Sequence, residues 1–150
     1  MIKKVIYVPG SWDMLHAGHT AILKKAKKLG NYLIVGVSSD NLIKKQKFIT
    51  PIIKYQDRVS VIKDLKYVNK VIKQDSFFDI EQLRPYHIDI IVLGSDWKNV
   101  FFQELYSCLK ELDIKIIYLP YTKRLSSSSI KEKIIKNAIS IIRSQTKRSK

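Results

Sequence analysis

Five short apolar runs, Ile2–Val8, Tyr32–Ser38, Asn69–Lys73, Ile88–Leu93 and Ile114–Leu119, punctuate the chain, and the segments between them carry apolar residues at helical spacing. Strand and helix signals that alternate in this way predict a parallel sheet. Right-handed crossovers place helices on both faces and gather the ligand-binding loops at the carboxyl ends of the strands. The expected fold is therefore α/β: a Rossmann-like, doubly wound, parallel five-stranded sheet with helices on both faces. Three helical stripes read as core-packing faces: Ile22, Leu23, Ala26 and Leu29; Phe102, Leu105, Leu109 and Leu112; and Ile130, Ile134, Ala138 and Ile141. The segment Lys44–Lys54 breaks the pattern. It lacks periodicity and holds Pro51, which predicts a mobile loop.

One hundred and fifty residues suit one domain with a substantial core, placed at 1–142. Residues 143–150 are basic and polar with no apolar pattern, so they read as a disordered tail. The formal charge of +15 admits nucleic acid, an anionic membrane surface or anionic small substrates. Lysine is spread along the chain, and no aromatic-rich RNA-binding motif, zinc spacing or recognition-helix pattern accompanies it, so no specific nucleic-acid partner is expected. The basic C-terminal helix has a mixed polar face and no cluster of large aromatics opposite, which argues against membrane association. No apolar run of roughly 18 residues occurs and Met1-Ile2-Lys3-Lys4 leads into a strand; neither a spanning helix nor a signal peptide is expected, and the protein is placed in the cytoplasm. The single cysteine, Cys108, lies between Leu105 and Leu112 on a helical stripe and reads as a core residue.

Candidate chemistry is concentrated in Gly10-Ser11-Trp12-Asp13-Met14-Leu15-His16-Ala17-Gly18-His19, directly after the first strand. A helical pattern starts just beyond His19, so two imidazoles sit where a strand hands over to a helix N-terminus. Unpaired N–H groups and the positive end of the helix dipole favour an anion there. Gly10 permits a sharp turn, and Gly18 removes a side chain that would hold a nucleotide away. A protein-held metal is not expected, because the remaining candidate ligands, His87 and Cys108, lack ligand spacing. Ser39 and Asp40 follow the second strand, Gly94–Trp97 the fourth, and Tyr121–Ser128 the fifth. Four loops thus converge on one edge, as a nucleotide site at a topological switch point requires.

These segments, with Gly30–Asp40, Lys45-Gln46-Lys47, Tyr55-Gln56-Asp57-Arg58, Gly94-Ser95-Asp96-Trp97, Leu119-Pro120-Tyr121-Thr122 and Ser126-Ser127-Ser128, resemble the HxGH nucleotidylyltransferases, a family related to class I aminoacyl-tRNA synthetases. The resemblance covers nearly the whole chain and is greatest to the glycerol-3-phosphate cytidylyltransferases. The HxGH motif marks the superfamily, while Asp96-Trp97 points to the cytidylyltransferase-like branch. The resemblance implies transfer of CMP from CTP to a small phosphorylated alcohol, glycerol 3-phosphate first, with release of pyrophosphate. It also implies Mg²⁺ accompanying the triphosphate and a homodimer. An ATP donor, or a sugar phosphate, phosphocholine or phosphoethanolamine acceptor, would keep the chemistry. A catalytically silent nucleic-acid-binding protein is the reading from another class.

By the resemblance, His16, His19 and Lys45 are the catalytic candidates. Gly10, Ser11, Trp12, Asp13, Gly18, Arg58, Asp96, Tyr121, Arg124, Ser126, Ser127 and Ser128 are assigned to the nucleotide, and Lys47, Asp40 and Trp97 to the acceptor. Plainer readings stand beside these. Lys45 and Lys47 form a solvated loop pair, Arg58 is a helix-surface residue, and Trp97 is a lid over the core. Asp13 orients His16, meets the metal-nucleotide or stabilises a turn. Ser129 and Glu132 have capping-box spacing, so part of the serine run is structural. The last loop departs from the family pattern: Tyr121 stands where an arginine is usual, and Arg124 where a glycine is. Either Arg124, with Lys123 as substitute, turns inward as the replacement cation, or Tyr121 stacks on the nucleotide.

Overall fold

The first apolar run becomes β1 (Val5–Gly10), whose residues alternate between two cores: Ile6 and Val8 face one, Val5 and Tyr7 the other. The computed structural model describes residues 2–76, 79–98, 103–120 and 125–148. After β1 come α1 (Ala17–Lys27), β2 (Tyr32–Ser38), α2 (Asp40–Lys47), α3 (Tyr55–Lys63), β3 (Lys70–Gln74), α4 (Ile80–Leu83), β4 (Ile90–Gly94), α5 (Gln103–Glu111), β5 (Lys115–Leu119) and α6 (Ser127–Arg148). All strand pairs are parallel, in the order β3-β2-β1-β4-β5. Leu23 and Ala26 of α1 and Ile62 of α3 close one face, while Leu83 of α4 and Leu109 of α5 close the other. This is the doubly wound α/β fold that the alternation predicts.

The strand order reverses between β1 and β4. Those two strands pair only through Ile6–Ile90 and Tyr7–Ile91. Beyond these residues β1 continues as Val8-Pro9-Gly10 and β4 as Val92-Leu93-Gly94, and a crevice opens between their carboxyl ends, where such folds bind ligands.

Three expectations are corrected. Lys44–Lys54 is not a loop throughout: α2 runs to Lys47, with Ser39 capping its start and Leu42 and Ile43 buried. The capping and burial of that first turn outweigh the missing periodicity downstream. The rest is tethered, because the N–H groups of Ile52 and Ile53 donate to the Asp13 carboxylate at 3.1 and 2.9 Å. The α6 stripe is not a core face either, since Ile134 and Ile141 are 55% and 57% exposed. Finally, α6 continues to Arg148, through the segment expected to be a disordered tail. Leu109 of the α5 stripe is buried; Phe102 and the side chains of Leu105 and Cys108 lie outside the described residues.

Candidate active site

The chain leaves β1 through two non-glycine residues in the left-handed region, Trp12 at φ 55° and Met14 at φ 52°. Each costs about 1–2 kcal/mol, so the surrounding contacts must hold the turn in place. The Trp12 ring is buried, its Nε1–H donates to the Gly36 carbonyl at 2.8 Å, and its face covers Gly10, where a Cβ would lie 2.7 Å from Cε2. Trp12 is thus a core residue beneath the turn that also borders the crevice, and its ring meets that of His19 edge-on at 5.4 Å.

His16 caps α1. Its Nδ1 accepts from the Gly18 N–H at 3.1 Å, while His19 Nδ1 accepts from the His16 N–H at 3.4 Å. The two imidazoles are stacked with centroids 3.8 Å apart. Gly18 serves this arrangement directly: a Cβ there would lie 2.9 Å from Cε1 of His16, so its glycine makes room for the histidine ring rather than only for a nucleotide. Burial lowers the pKa of His16 below its ordinary 6.5. Burial, then the charges of His16 and Lys47, lower that of His19 to about 4, with Asp13 opposing. Both rings are therefore neutral near pH 7. A neutral imidazole whose Nδ1 accepts carries its proton on Nε2. Each histidine consequently presents an Nε2–H donor, and that of His16 is buried with no hydrogen-bond partner among the described residues.

Asp13 is buried and fully engaged. Besides the Ile52 and Ile53 N–H groups, Lys131 of α6 donates to its Oδ2 at 2.8 Å. Burial raises its pKa, but the hydrogen bonds from Lys131, Ile53 and Ile52, with the Lys131 charge, outweigh that and hold it below the ordinary value. The Asp13 carbonyl accepts from Ser127 Oγ at 2.7 Å. Asp13 therefore clamps the histidine turn to α6 and to the 51–53 segment.

A cavity of about 320 Å³ occupies the crevice. Of the residues assigned from sequence, Gly10, Ser11, Trp12, Asp13, His16, Gly18, His19, Lys47, Asp96, Trp97, Ser126, Ser127 and Ser128 line it. Lys131, which sequence reasoning did not single out, lines it as well; its place in the first turns of the helix after the serine run was the available signal. The serine cap also differs from the one expected. Ser126 Oγ accepts from the Ser129 N–H and Ser129 Oγ from the Ser126 N–H, both at 3.0 Å, so the reciprocal box joins Ser126 to Ser129 rather than Ser129 to Glu132.

Arg58, Asp40 and Lys45 stand outside the cavity wall. Arg58 is 2% exposed; its guanidinium donates to the carbonyls of Ile53 (2.9 Å), Ser38 (2.8 Å) and Ser11, and to Asp40 Oδ1 at 2.6 Å. Those acceptors take four of its five N–H donors, so it braces the site from behind, and Asp40 is its ion-pair partner. Lys45 is exposed on α2, whereas Lys47, two residues on, faces the cavity. Tyr121 and Arg124 lie outside the described residues. Among the described residues no group of three or more His, Cys, Asp or Glu side chains is placed to hold a metal ion.

The cytidylyltransferase-like family profile matches residues 7–133. A glycerol-3-phosphate cytidylyltransferase of Bacillus subtilis (strain 168) is 36% identical over 136 residues, spanning 89% of this chain and 98% of its own. An FAD synthase of Pyrococcus horikoshii is 38% identical over 138 residues, spanning 86% and 90%. Among solved structures, the lipopolysaccharide core biosynthesis protein of Thermoplasma volcanium GSS1 superposes with a TM-score of 0.67 at 30% identity, covering 81% of this chain and 98% of that one.

Proposed function

The chain belongs to the cytidylyltransferase-like family, and on that premise we propose that it transfers CMP from CTP to a small phosphorylated alcohol, glycerol 3-phosphate first, releasing pyrophosphate. The observation that carries this reading is the pair of stacked imidazoles in the β1–β4 crevice, each tautomer fixed by a backbone N–H and each presenting Nε2–H, that of His16 buried and unpartnered. A buried donor without an acceptor costs about 1–3 kcal/mol, which a phosphate oxygen would relieve.

The reaction needs no activated nucleophile. An ionised oxygen of the acceptor phosphate forms a bond to the α-phosphorus in line, and the bond from that phosphorus to the bridging oxygen breaks as pyrophosphate departs. Charge builds on non-bridging and leaving oxygens, where the two Nε2–H groups donate; one such preorganised donor is worth about 2.7–4 kcal/mol. Lys47 and Lys131, both on the cavity wall, add positive charge for the phosphates. The Ser126–Ser128 segment opens α6 on the same wall, and its helix N-terminus suits an anion.

Mg²⁺ fits as a cation carried by the triphosphate. A magnesium ion accepts one or two carboxylates together with substrate phosphates and water, and the Asp96 carboxylate borders the cavity. When bound it would neutralise the triphosphate. A homodimer belongs to the same reading and is checked by light scattering.

The FAD synthase relative makes ATP the second donor to test. Pyrophosphate release should be measured with CTP and with ATP against glycerol 3-phosphate, phosphocholine, phosphoethanolamine and sugar phosphates. Release with CTP and glycerol 3-phosphate is expected, release only with ATP would replace the donor, and none with any pair would overturn the reading.

A further inference from the structure

One large apolar side chain beside the crevice stands almost wholly in solvent. Phe48, which follows α2, is 90% exposed and has φ 54°, so its ring lacks burial and its Cβ is crowded by a left-handed backbone. The Phe48 N–H donates to the Lys44 carbonyl at 3.0 Å, and the Ile52 N–H is held by Asp13 at 3.1 Å, so residues 48–51 form a short strap pinned at both ends. Within it Ile49, 47% exposed, already lines the crevice. Ile22 and Ile43 line the crevice as well, each one turn from a polar member of its wall: Ile22 from His19 on α1, Ile43 from Lys47 on α2. Lys47 is near enough to His19 for its charge to act on that imidazole. This side of the crevice is therefore apolar around one cation and one histidine.

Resting on the CMP-transfer reading of this site, we propose that Phe48 and Ile49 are an apolar lip that folds over the crevice once both substrates are in place and keeps water from the α-phosphorus. Water competes with the acceptor for that atom: its oxygen would form the new bond, the bond to the bridging oxygen would break, its protons would pass to solvent, and CMP would leave with pyrophosphate in place of the diester. The Nε2–H donors of His16 and His19 steady the charge that develops with either attacker, so they do not tell one from the other. Exclusion of water from the closed site does. The occupant of the seat is the strap of the same chain, because it is pinned to the histidine turn through Asp13 and its Ile49 is on the crevice wall already. Rotation of Phe48 out of the left-handed region relieves its backbone and carries the ring out of water in a single movement. An acceptor phosphate drawn to Lys47, the preceding residue, pulls on the hinge from the crevice side.

The test measures CMP and diester formed from CTP, Mg²⁺ and glycerol 3-phosphate by the wild type, by Phe48→Ser with Ile49→Ser, and by Phe48→Leu. The paired serines replace exposed side chains and leave the fold intact. They should raise the ratio of CMP to diester by about tenfold or more, since burial of one such side chain is worth about that factor in the closed population. Phe48→Leu, which keeps the lip apolar, should stay within about threefold of the wild-type ratio. Chymotrypsin supplies a second readout on the wild type, because it cuts after an exposed phenylalanine. Glycerol 3-phosphate together with CTP carrying a methylene bridge between its α- and β-phosphorus atoms, which cannot release pyrophosphate, should slow the cut after Phe48 by about tenfold or more. A wild type that forms no diester overturns the transfer reading and the lip with it. Diester formation with an unchanged product ratio in the paired variant, or an unchanged cut in the presence of both ligands, overturns the lip alone. So does a halved mass of the paired variant in light scattering, which would show that a second copy covers Phe48.

Discussion

Acidification should destabilise this protein through His19 before Asp13 begins to titrate. Burial, then the charges of His16 and Lys47, hold the imidazole at about 4 instead of 6.5, with Asp13 pulling the other way. Between those two values the unfolded chain binds a proton that the folded chain refuses. Stability therefore rises with pH across the window and is lost as the pH falls through it. A shift from 6.5 to about 4 corresponds to about 3 kcal/mol at full weight. His19 is only partly buried, and solvent screening brings the expected loss to about 2 kcal/mol. His16, also lowered by burial, acts in the same direction. Against a total stability of about 5–15 kcal/mol for a domain, the loss is large. Equilibrium urea unfolding should be followed near neutrality and at pH 4 for the wild type and for His19→Asn, whose Oδ1 can keep accepting from the His16 N–H without titrating. The wild type should lose about 2 kcal/mol more than the variant. Equal acid losses in the two proteins would refute the depressed histidine.

Arg58→Leu should lower the unfolding free energy by about 3 kcal/mol or more, because it strands three carbonyls and Asp40, while KM for the nucleotide in the folded fraction stays within about threefold; a large rise in KM with unchanged stability would return Arg58 to the binding site. Gly18→Ala should push the His16 ring off its Gly18 hydrogen bond and cut kcat by about tenfold or more; unchanged kcat would show that the Nδ1 contact does not orient the ring. Lys131→Gln should lower kcat/KM by about tenfold through loss of a charged donor on the cavity wall, and wild-type kinetics in that variant would confine Lys131 to clamping Asp13.

What could be read from the chain follows from which forces are local. β2 falls on Tyr32–Ser38 as expected, because six of its seven residues are buried and their apolar run announces them. β1 begins later than Ile2, since the Lys4 and Val5 N–H groups donate to the side chains of Asn31 and Asp89, partners 27 and 84 residues away that no local pattern reveals. The histidine motif was legible because its parts adjoin in sequence. Arg58 was not: its acceptors come from Ser11, Ser38, Asp40 and Ile53, and only the fold brings them around one guanidinium. Periodicity likewise marked the α6 isoleucines as apolar but was silent on whether anything in the same chain covers them.

Transfer chemistry at the two imidazoles is tested most directly by phosphorus NMR of CTP and glycerol 3-phosphate incubated with Mg²⁺ and the protein. The wild type should produce pyrophosphate and a new diphosphate diester in equal amounts. His16→Ala and His19→Ala should each slow that conversion by about 100-fold or more, with CTP affinity falling much less, because the Nε2–H donors act chiefly on charge that develops in the transition state. Stable, folded variants that turn over at nearly the wild-type rate would contradict the assignment of the reaction to these histidines.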